Sequence, residues 1–128
     1  MRKGALLEQK ILKLFARYRE RKAFCLQIHP RRLHDGRNVE KAPFDFLIFH
    51  NSKLTAFDAK MCEGTRWPGA PSHQIRALMD VRENGGDGFF LVWFVLAGKL
   101  ARFEPEQASS SRKPEEGRPV SIDLLKLL

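Results

Sequence analysis

The stretch from Gly88 to Gly98 reads Gly-Phe-Phe-Leu-Val-Trp-Phe-Val-Leu-Ala-Gly, apolar at every position from Phe89 to Leu96. A run of that length is too short to cross a bilayer, which takes about 20 apolar residues. Its aromatic and β-branched content predicts a strand over Phe89–Leu96. A strand without polar alternation has both faces covered, so a layer must pack on each side of its sheet. The residues ahead of it supply one such layer. Ser72 is a candidate N-cap for a helix running to about Glu83, closed by Asn84-Gly85-Gly86. A strand that follows a helical crossover lies parallel to the strand preceding that helix.

The rest of the chain fills in the layers. Leu7, Ile11, Leu14, Phe15 and Tyr18 recur at helical spacing and predict a helix over Ala5–Arg19. Ala23–His29 reads as a strand ended by Pro30, and residues 30–41 as a basic loop with a turn at Asp35-Gly36. Phe44–Phe49 and Leu54–Lys60 read as strands joined by His50-Asn51-Ser52-Lys53, followed by a Gly/Pro-rich loop over 61–71. The predicted order is helix, three strands, helix, strand. This is a compact α/β fold with a mixed central sheet flanked by helices. The core domain is expected over 1–103. Residues 104–128 are expected as a polar loop or tail of the same domain, ending in the apolar Leu124, Leu125, Leu127 and Leu128.

Net charge is +8, and its placement is one-sided. Residues 1–37 carry eleven Lys/Arg against Glu8, Glu20 and Asp35, which accounts for all of it; the remaining chain sums to zero. Such an excess suits a polyanionic partner through counterion release, although a solvated basic surface gives the same composition. Lys3, Arg31, Arg32, Arg37 and Arg66 are the candidate contacts with such a polyanion. The basic start is interrupted by Lys10 and Lys13 and does not form a signal segment, so a cytoplasmic protein is expected, bacterial or viral in a host cytoplasm. Cys25 and Cys62 have no metal-type spacing and read as buried thiols. His29, His34, His50 and His73 lack zinc spacing, and no phosphate-binding glycine loop is present, so neither zinc nor a nucleotide cofactor is expected.

The chemistry concentrates at Asp45 and at Asp58-Ala59-Lys60. With 50–53 as the hairpin connection, Phe49 faces Leu54, Leu47 faces Ala56, and Asp45 faces Asp58. Two carboxylates opposed on one sheet face repel, and a cation between them turns that penalty into a binding site. Oxygen ligands in small number suit Mg²⁺. Period-2 alternation puts Lys60 on the same face, where an ammonium can orient an attacking water or stabilise a phosphoryl transition state. The spacing is equally consistent with Lys60 pairing one aspartate at a strand end. Glu8 continues the apolar stripe Ile11, Leu12, Phe15 of the first helix, and Gln74 that of Ala77, Leu78, Val81 in the second. A favourable first-turn charge would account for Glu8, and an exposed polar residue for Gln74. Trp67 fits either stacking on DNA or packing over the core.

A helix Glu, a strand Asp, a (D/E)xK motif and a following helix Gln, in that order, resemble the PD-(D/E)XK nucleases. His73-Gln74-Ile75, then Gly85-Gly86 and Gly88-Phe89-Phe90-Leu91-Val92, resemble the RecU-type Holliday junction resolvases, as does Gly4 to Glu8. The resemblance runs from about Gly4 to Phe94 and implies a restriction-endonuclease-like core. It implies Mg²⁺, with Mn²⁺ as a substitute, held by Asp45, Asp58 and Gln74, with Lys60 and Glu8 completing the catalytic set. It also implies a homodimer cutting opposed strands of branched DNA, a four-way junction. Three features depart from that pattern. Asp58 stands where Glu is usual, Pro43 replaces a hydroxyl residue, and the basic loop Pro30–Lys41 is short for a DNA-probing stalk. Two other readings compete: a nuclease of the same superfamily acting on flaps or single strands, and a basic nucleic-acid-binding module without catalysis.

Overall fold

The computed structural model describes residues 5–29 and 42–121. Lys3, Arg31, Arg32, Arg37, the rest of the basic loop and the C-terminal leucines lie outside the described residues. Helix α1 (Ala5–Glu20) precedes strands β1 (Phe24–Gln27), β2 (Phe46–His50) and β3 (Lys53–Cys62). Helix α2 (Ser72–Glu83) leads to β4 (Asp87–Phe94) and β5 (Lys99–Phe103), and β6 (Arg118–Val120) follows two short 3-10 turns, Pro105–Ser109 and Pro114–Glu116. The six strands form one sheet in sequence order. β3 and β4 are parallel across the α2 crossover, and every other neighbour is antiparallel. No helix among the described residues is long and apolar enough to cross a membrane.

Each face of the sheet has its own core. α1 sets Leu7, Ile11, Leu14 and Phe15 against Phe46, Ile48, Phe57, Phe89 and Leu91. There the rings of Phe46 and Phe57 stack with centroids 5.1 Å apart, and those of Phe57 and Phe89 at 5.2 Å, while Phe15 meets Phe46 edge-on. Burying each such ring contributes roughly 1.5–3 kcal/mol. α2 covers the opposite face, where Leu78 joins Ala56, Phe90, Val92, Phe94 and Phe103. The apolar strand therefore does divide its side chains between two layers. Helix α2 sits close on β4 because residue 88 is glycine: a Cβ there would meet the Leu78 carbonyl oxygen at 2.5 Å.

The hairpin register is the anticipated one, with Phe49 opposite Leu54 and Leu47 opposite Ala56. The connection is tighter than four residues. His50 pairs with Lys53, leaving Asn51 and Ser52 as a two-residue turn with φ of 50° and 63°, the left-handed pair that suits a right-twisted hairpin. This single extra rung, one residue from each strand, leaves the register unchanged. Pro71, rather than Ser72, caps α2, and Ser72 is its first residue.

Two strands go beyond the sequence reading. The apolar run hides a turn at residues 95–98, closed by Gly98 at φ 63° with its N–H bonded to the Val95 carbonyl; β4 ends before it and β5 returns alongside. Residues 104–121, expected as a polar loop or tail, are packed instead. The Glu104 N–H donates to Gln107 Oε1 at 2.9 Å, Ala108 is buried, and its carbonyl accepts the Ala70 N–H. Prolines and polar side chains here cap short turns rather than solvate a tail. Trp67 is buried against Phe90 and Phe103, and its backbone pairs with that of Arg112. It is a core residue, not a surface for stacking on DNA.

Candidate active site

Asp45 ends the segment entering β2, and its place is fixed from both sides. The Ile28 N–H donates to the Asp45 carbonyl at 2.7 Å, and the Ala59 N–H donates to Asp45 Oδ2 at 3.1 Å. The second bond carries the side chain across to β3 beside Asp58. The Ala59 amide was not visible in the sequence, because a strand residue's spare N–H is defined by pairing and not by residue type.

Asp58 lies in the middle of β3 and is 0 % exposed. Alternation puts it on the α2 face between Ala56 and Lys60, with Phe90 as its β4 partner. Its walls are therefore apolar. Lys60 Nζ stands 2.7 Å from Asp58 Oδ2, close enough for an ion pair. The approach lacks hydrogen-bond alignment, however, so both Asp58 oxygens are buried without a hydrogen-bond partner. Asp58 is thus held by the Lys60 charge without an aligned donor on either oxygen, an expensive state for a buried carboxylate and one whose lone pairs suit a cation. Burial and then the closeness of the Asp58 carboxyl push the Asp45 pKa up to about 7, against the opposing pull of the Ala59 N–H and the Lys60 ammonium.

Gln74 lies in the first turn of α2, the helix over this same face, and its Oε1 is likewise buried without a hydrogen-bond partner. Glu8 is half-buried in the first turn of α1, on the helix that covers the other face. The structure thus gathers Asp45, Asp58 and Lys60 tightly, sets Gln74 on the covering helix, and places Glu8 on the opposite layer. Arg66 is engaged within the protein, donating to Ser111 Oγ at 3.0 Å and to the Ser111 carbonyl at 3.2 Å.

Among the described residues no group of three or more His, Cys, Asp or Glu gathers around one point. The oxygen donors on offer are two carboxylates and one amide oxygen. That set fits a hard divalent cation of the Mg²⁺ or Mn²⁺ type, which accepts few protein ligands and completes its shell with solvent. It suits zinc less, since zinc sites are built mainly from His nitrogen and Cys sulfur and none is among these donors.

No protein-family model matches the chain, and no curated protein matches it in sequence. Among solved structures it is similar to Hjc of Archaeoglobus fulgidus, a Holliday junction resolvase from an archaeal hyperthermophile. The TM-score is 0.58 at 11% identity, covering 88% of this chain and 94% of that one. The likeness is one of fold: this chain has the restriction-endonuclease-like α/β architecture of that resolvase.

Proposed function

We propose that this chain is a divalent-metal-dependent DNA endonuclease of the PD-(D/E)XK type, closest in kind to the RecU-type resolvases, acting as a homodimer on four-way junctions in the cytoplasm. The observation that carries the reading is Asp58: fully buried, with both oxygens lacking hydrogen bonds, beside Asp45 and Lys60. The fold shared with a Holliday junction resolvase supports it.

Asp45, Asp58 and the Gln74 Oε1 would hold the cation, Mg²⁺ by preference and Mn²⁺ as a substitute. When bound, such an ion supplies Lewis-acid polarisation of the phosphodiester and lowers the pKa of nearby water. The protein's own groups do the rest. Asp45 would have to give up its proton to serve as a ligand. The Lys60 ammonium, drawn from Asp58 and partly solvent-exposed, turns toward the scissile phosphate, where it orients the nucleophile and meets developing charge. Glu8 would complete the set from α1. Arg31, Arg32, Arg37 and Lys3, with Arg66 at the rim, would hold the DNA backbone, as the basic excess of residues 1–37 suggests.

One observation favours a non-catalytic DNA-binding module, the 2.7 Å approach of Lys60 to Asp58, which by itself is an ordinary ion pair. Cleavage of a labelled four-way junction, with Mg²⁺ and with EDTA, beside matched duplex and flap substrates, decides among the readings. Paired symmetric nicks on the junction alone, and only with metal, are expected. Cutting that prefers flaps or single strands would move the chain to another branch of the superfamily. Binding without cutting under every divalent ion would remove the enzyme.

A further inference from the structure

The loop that follows β3 and the start of α2 are fastened to the segment between β5 and β6, residues 104–117. Trp67 and Arg112 exchange backbone hydrogen bonds, each N–H donating to the other's carbonyl at 2.8 Å. A little further on, the Ala70 N–H donates to the Ala108 carbonyl at 3.0 Å. Gly69 makes this approach possible: its φ is 98°, and a Cβ there would meet the Ala108 carbonyl oxygen at 2.5 Å. Helix α2 begins at Ser72 with no side-chain cap, so the bond from Ala70 just ahead of it is an anchor for its first turn. Its last turn is tied to the same segment by the ion pair of Arg82 with Glu106.

That segment is knit together internally. Gln107 Oε1 accepts the Glu104 N–H, and Gln107 Nε2 donates to the Glu116 carbonyl, both at 2.9 Å. Arg112 closes it, donating from Nε to the Gln107 carbonyl at 2.8 Å and from Nη1 to Glu116 Oε2 at 3.2 Å. One guanidinium thus joins the turn Pro105–Ser109 to the turn Pro114–Glu116, while the backbone of the same residue holds Trp67. Trp67 is 3 % exposed and lies against Phe90, with ring centroids 5.5 Å apart. Phe90 is the β4 partner of Asp58. One chain of contacts therefore runs from Arg112 through Trp67 to the wall of Asp58. Another runs from Ala108 through Ala70 to the helical turn that carries Gln74.

We propose that Arg112 and Trp67 are positioning residues for the cation site, and that the strap of residues 104–117 holds Gln74 and Asp58 at the separation Mg²⁺ requires. This rests on the metal-dependent reading above. Neither side chain is itself a ligand: Trp67 is buried in the core, and Arg112 is bonded to Gln107 and Glu116. Sheet pairing fixes Asp58, because β3 is hydrogen-bonded to β2 on one side and β4 on the other. It does not fix Gln74, which belongs to the covering layer and depends on how α2 is seated. The first 3-10 turn of the strap packs against that helix as the sheet does. Mg²⁺ demands near-octahedral geometry, whereas Ca²⁺ accepts more ligands, longer distances and a flexible arrangement. A strap that sets the seat of α2 would thereby favour the smaller ion. Groups that hold metal ligands from behind typically control affinity by about 10–100-fold.

Calorimetric titration of the full chain with Mg²⁺ and with Ca²⁺, without DNA, tests this beside a thermal melt of each metal-free variant. Arg112→Ala and Gly69→Ala should each raise the Mg²⁺ dissociation constant about tenfold or more. The Ca²⁺ constant should rise by less, so that the preference for Mg²⁺ falls. Arg112→Lys keeps a charge for Glu116 but not the fork that also reaches Gln107. It should fall between, and it keeps the test valid if Gly69→Ala folds poorly. Trp67→Phe should bind Mg²⁺ more nearly as the wild type does than Trp67→Ala. Leu100→Ala, a core truncation on the α1 face, should lower the melting temperature and leave both constants unchanged. Strap variants that melt lower yet bind Mg²⁺ as the wild type does overturn the positioning role. So does a Leu100→Ala variant that loses as much Mg²⁺ affinity as they do. The cation reading is judged separately: a wild type that binds neither ion loses it, and the strap's role with it. A wild type that binds Mg²⁺, with strap variants indifferent, keeps that reading and loses only the strap.

Discussion

Lys60 and Asp58 stand two residues apart on β3 with Nζ 2.7 Å from Oδ2, and the carboxylate they share has no exposed surface. At that distance the ammonium is ion-paired with the carboxylate. Removing one partner of a buried pair typically costs 3–5 kcal/mol. Lys60 keeps part of its side chain in water, so Lys60→Met is expected to destabilise the metal-free protein by less, about 2 kcal/mol. Adding Asp58→Asn should restore most of that loss. Urea denaturation in EDTA measures both, and an unchanged midpoint for Lys60→Met would mean the pair contributes nothing to the fold.

Asp45, with its pKa raised to about 7 by burial and by Asp58, gives a pH dependence of definite sign. Between the ordinary carboxyl value of 3.8 and about 7 the folded chain holds a proton that the unfolded chain has released. Stability of the metal-free protein from this group is therefore present below that window and lost as pH rises through it. Asp45→Asn should flatten the slope. If the site takes a cation as proposed, its binding should show the opposite trend, weakening below pH 7 with about one proton released per ion. Calorimetry in buffers of different ionisation enthalpy counts that proton. The same variant should lose roughly a thousandfold in cleavage, the equivalent of several kcal/mol of transition-state stabilisation, while binding the junction at least as well.

The parts of this molecule legible in the sequence are those set by periodicity. The alternation around residues 50–53 fixed the register that brings Asp45 toward Asp58, and the stripe through Ala77, Leu78 and Val81 placed α2. The missed strands β5 and β6 belong to another class. Val95 and Leu96 continue the apolar run through a turn, so composition gave no sign that the chain reverses before Lys99. Prolines 105, 114 and 119 looked like a loop because each begins a short turn or sits in an edge strand. The site's three-dimensional content, the Ala59 N–H on Asp45 and the buried oxygens of Asp58 and Gln74, depends on which groups remain unpaired after folding. Residue identity alone cannot supply that.

Close packing of α2 on β4 should be sensitive to a single methyl group. In Gly88→Ala the new Cβ would meet the Leu78 carbonyl oxygen at 2.5 Å and its carbon at 3.2 Å, both backbone atoms that move only with the helix. Overpacking of this kind costs about 1–3 kcal/mol. Because α2 carries Gln74, cation affinity should fall together with stability. Gly64→Ala, whose Cβ would meet nothing nearer than 3.9 Å, is the control and should be neutral or slightly stabilising. Thermal melts with and without Mg²⁺ compare the two. Equal behaviour would show that α2 can withdraw without disturbing the site.

Charge placement makes the final expectation quantitative. The whole excess of +8 falls within residues 1–37, so junction binding should weaken steeply with salt. Each phosphate neutralised contributes a slope of about −0.9 in log K against log[salt] on duplex arms. Replacing Arg31, Arg32 and Arg37 together with glutamine should reduce the magnitude of that slope by about three if each contacts a phosphate. Arg66→Gln, whose guanidinium is already bonded to Ser111, should reduce it by less than one. Fluorescence anisotropy of a labelled junction between 50 and 200 mM salt, in Ca²⁺ or EDTA to prevent cutting, gives the slopes (about 10³–10⁵ in affinity is lost over that range for six to ten contacts). A triple variant with the wild-type slope would move the DNA track away from the loop, to basic residues on α1 such as Lys10, Lys13 and Arg17.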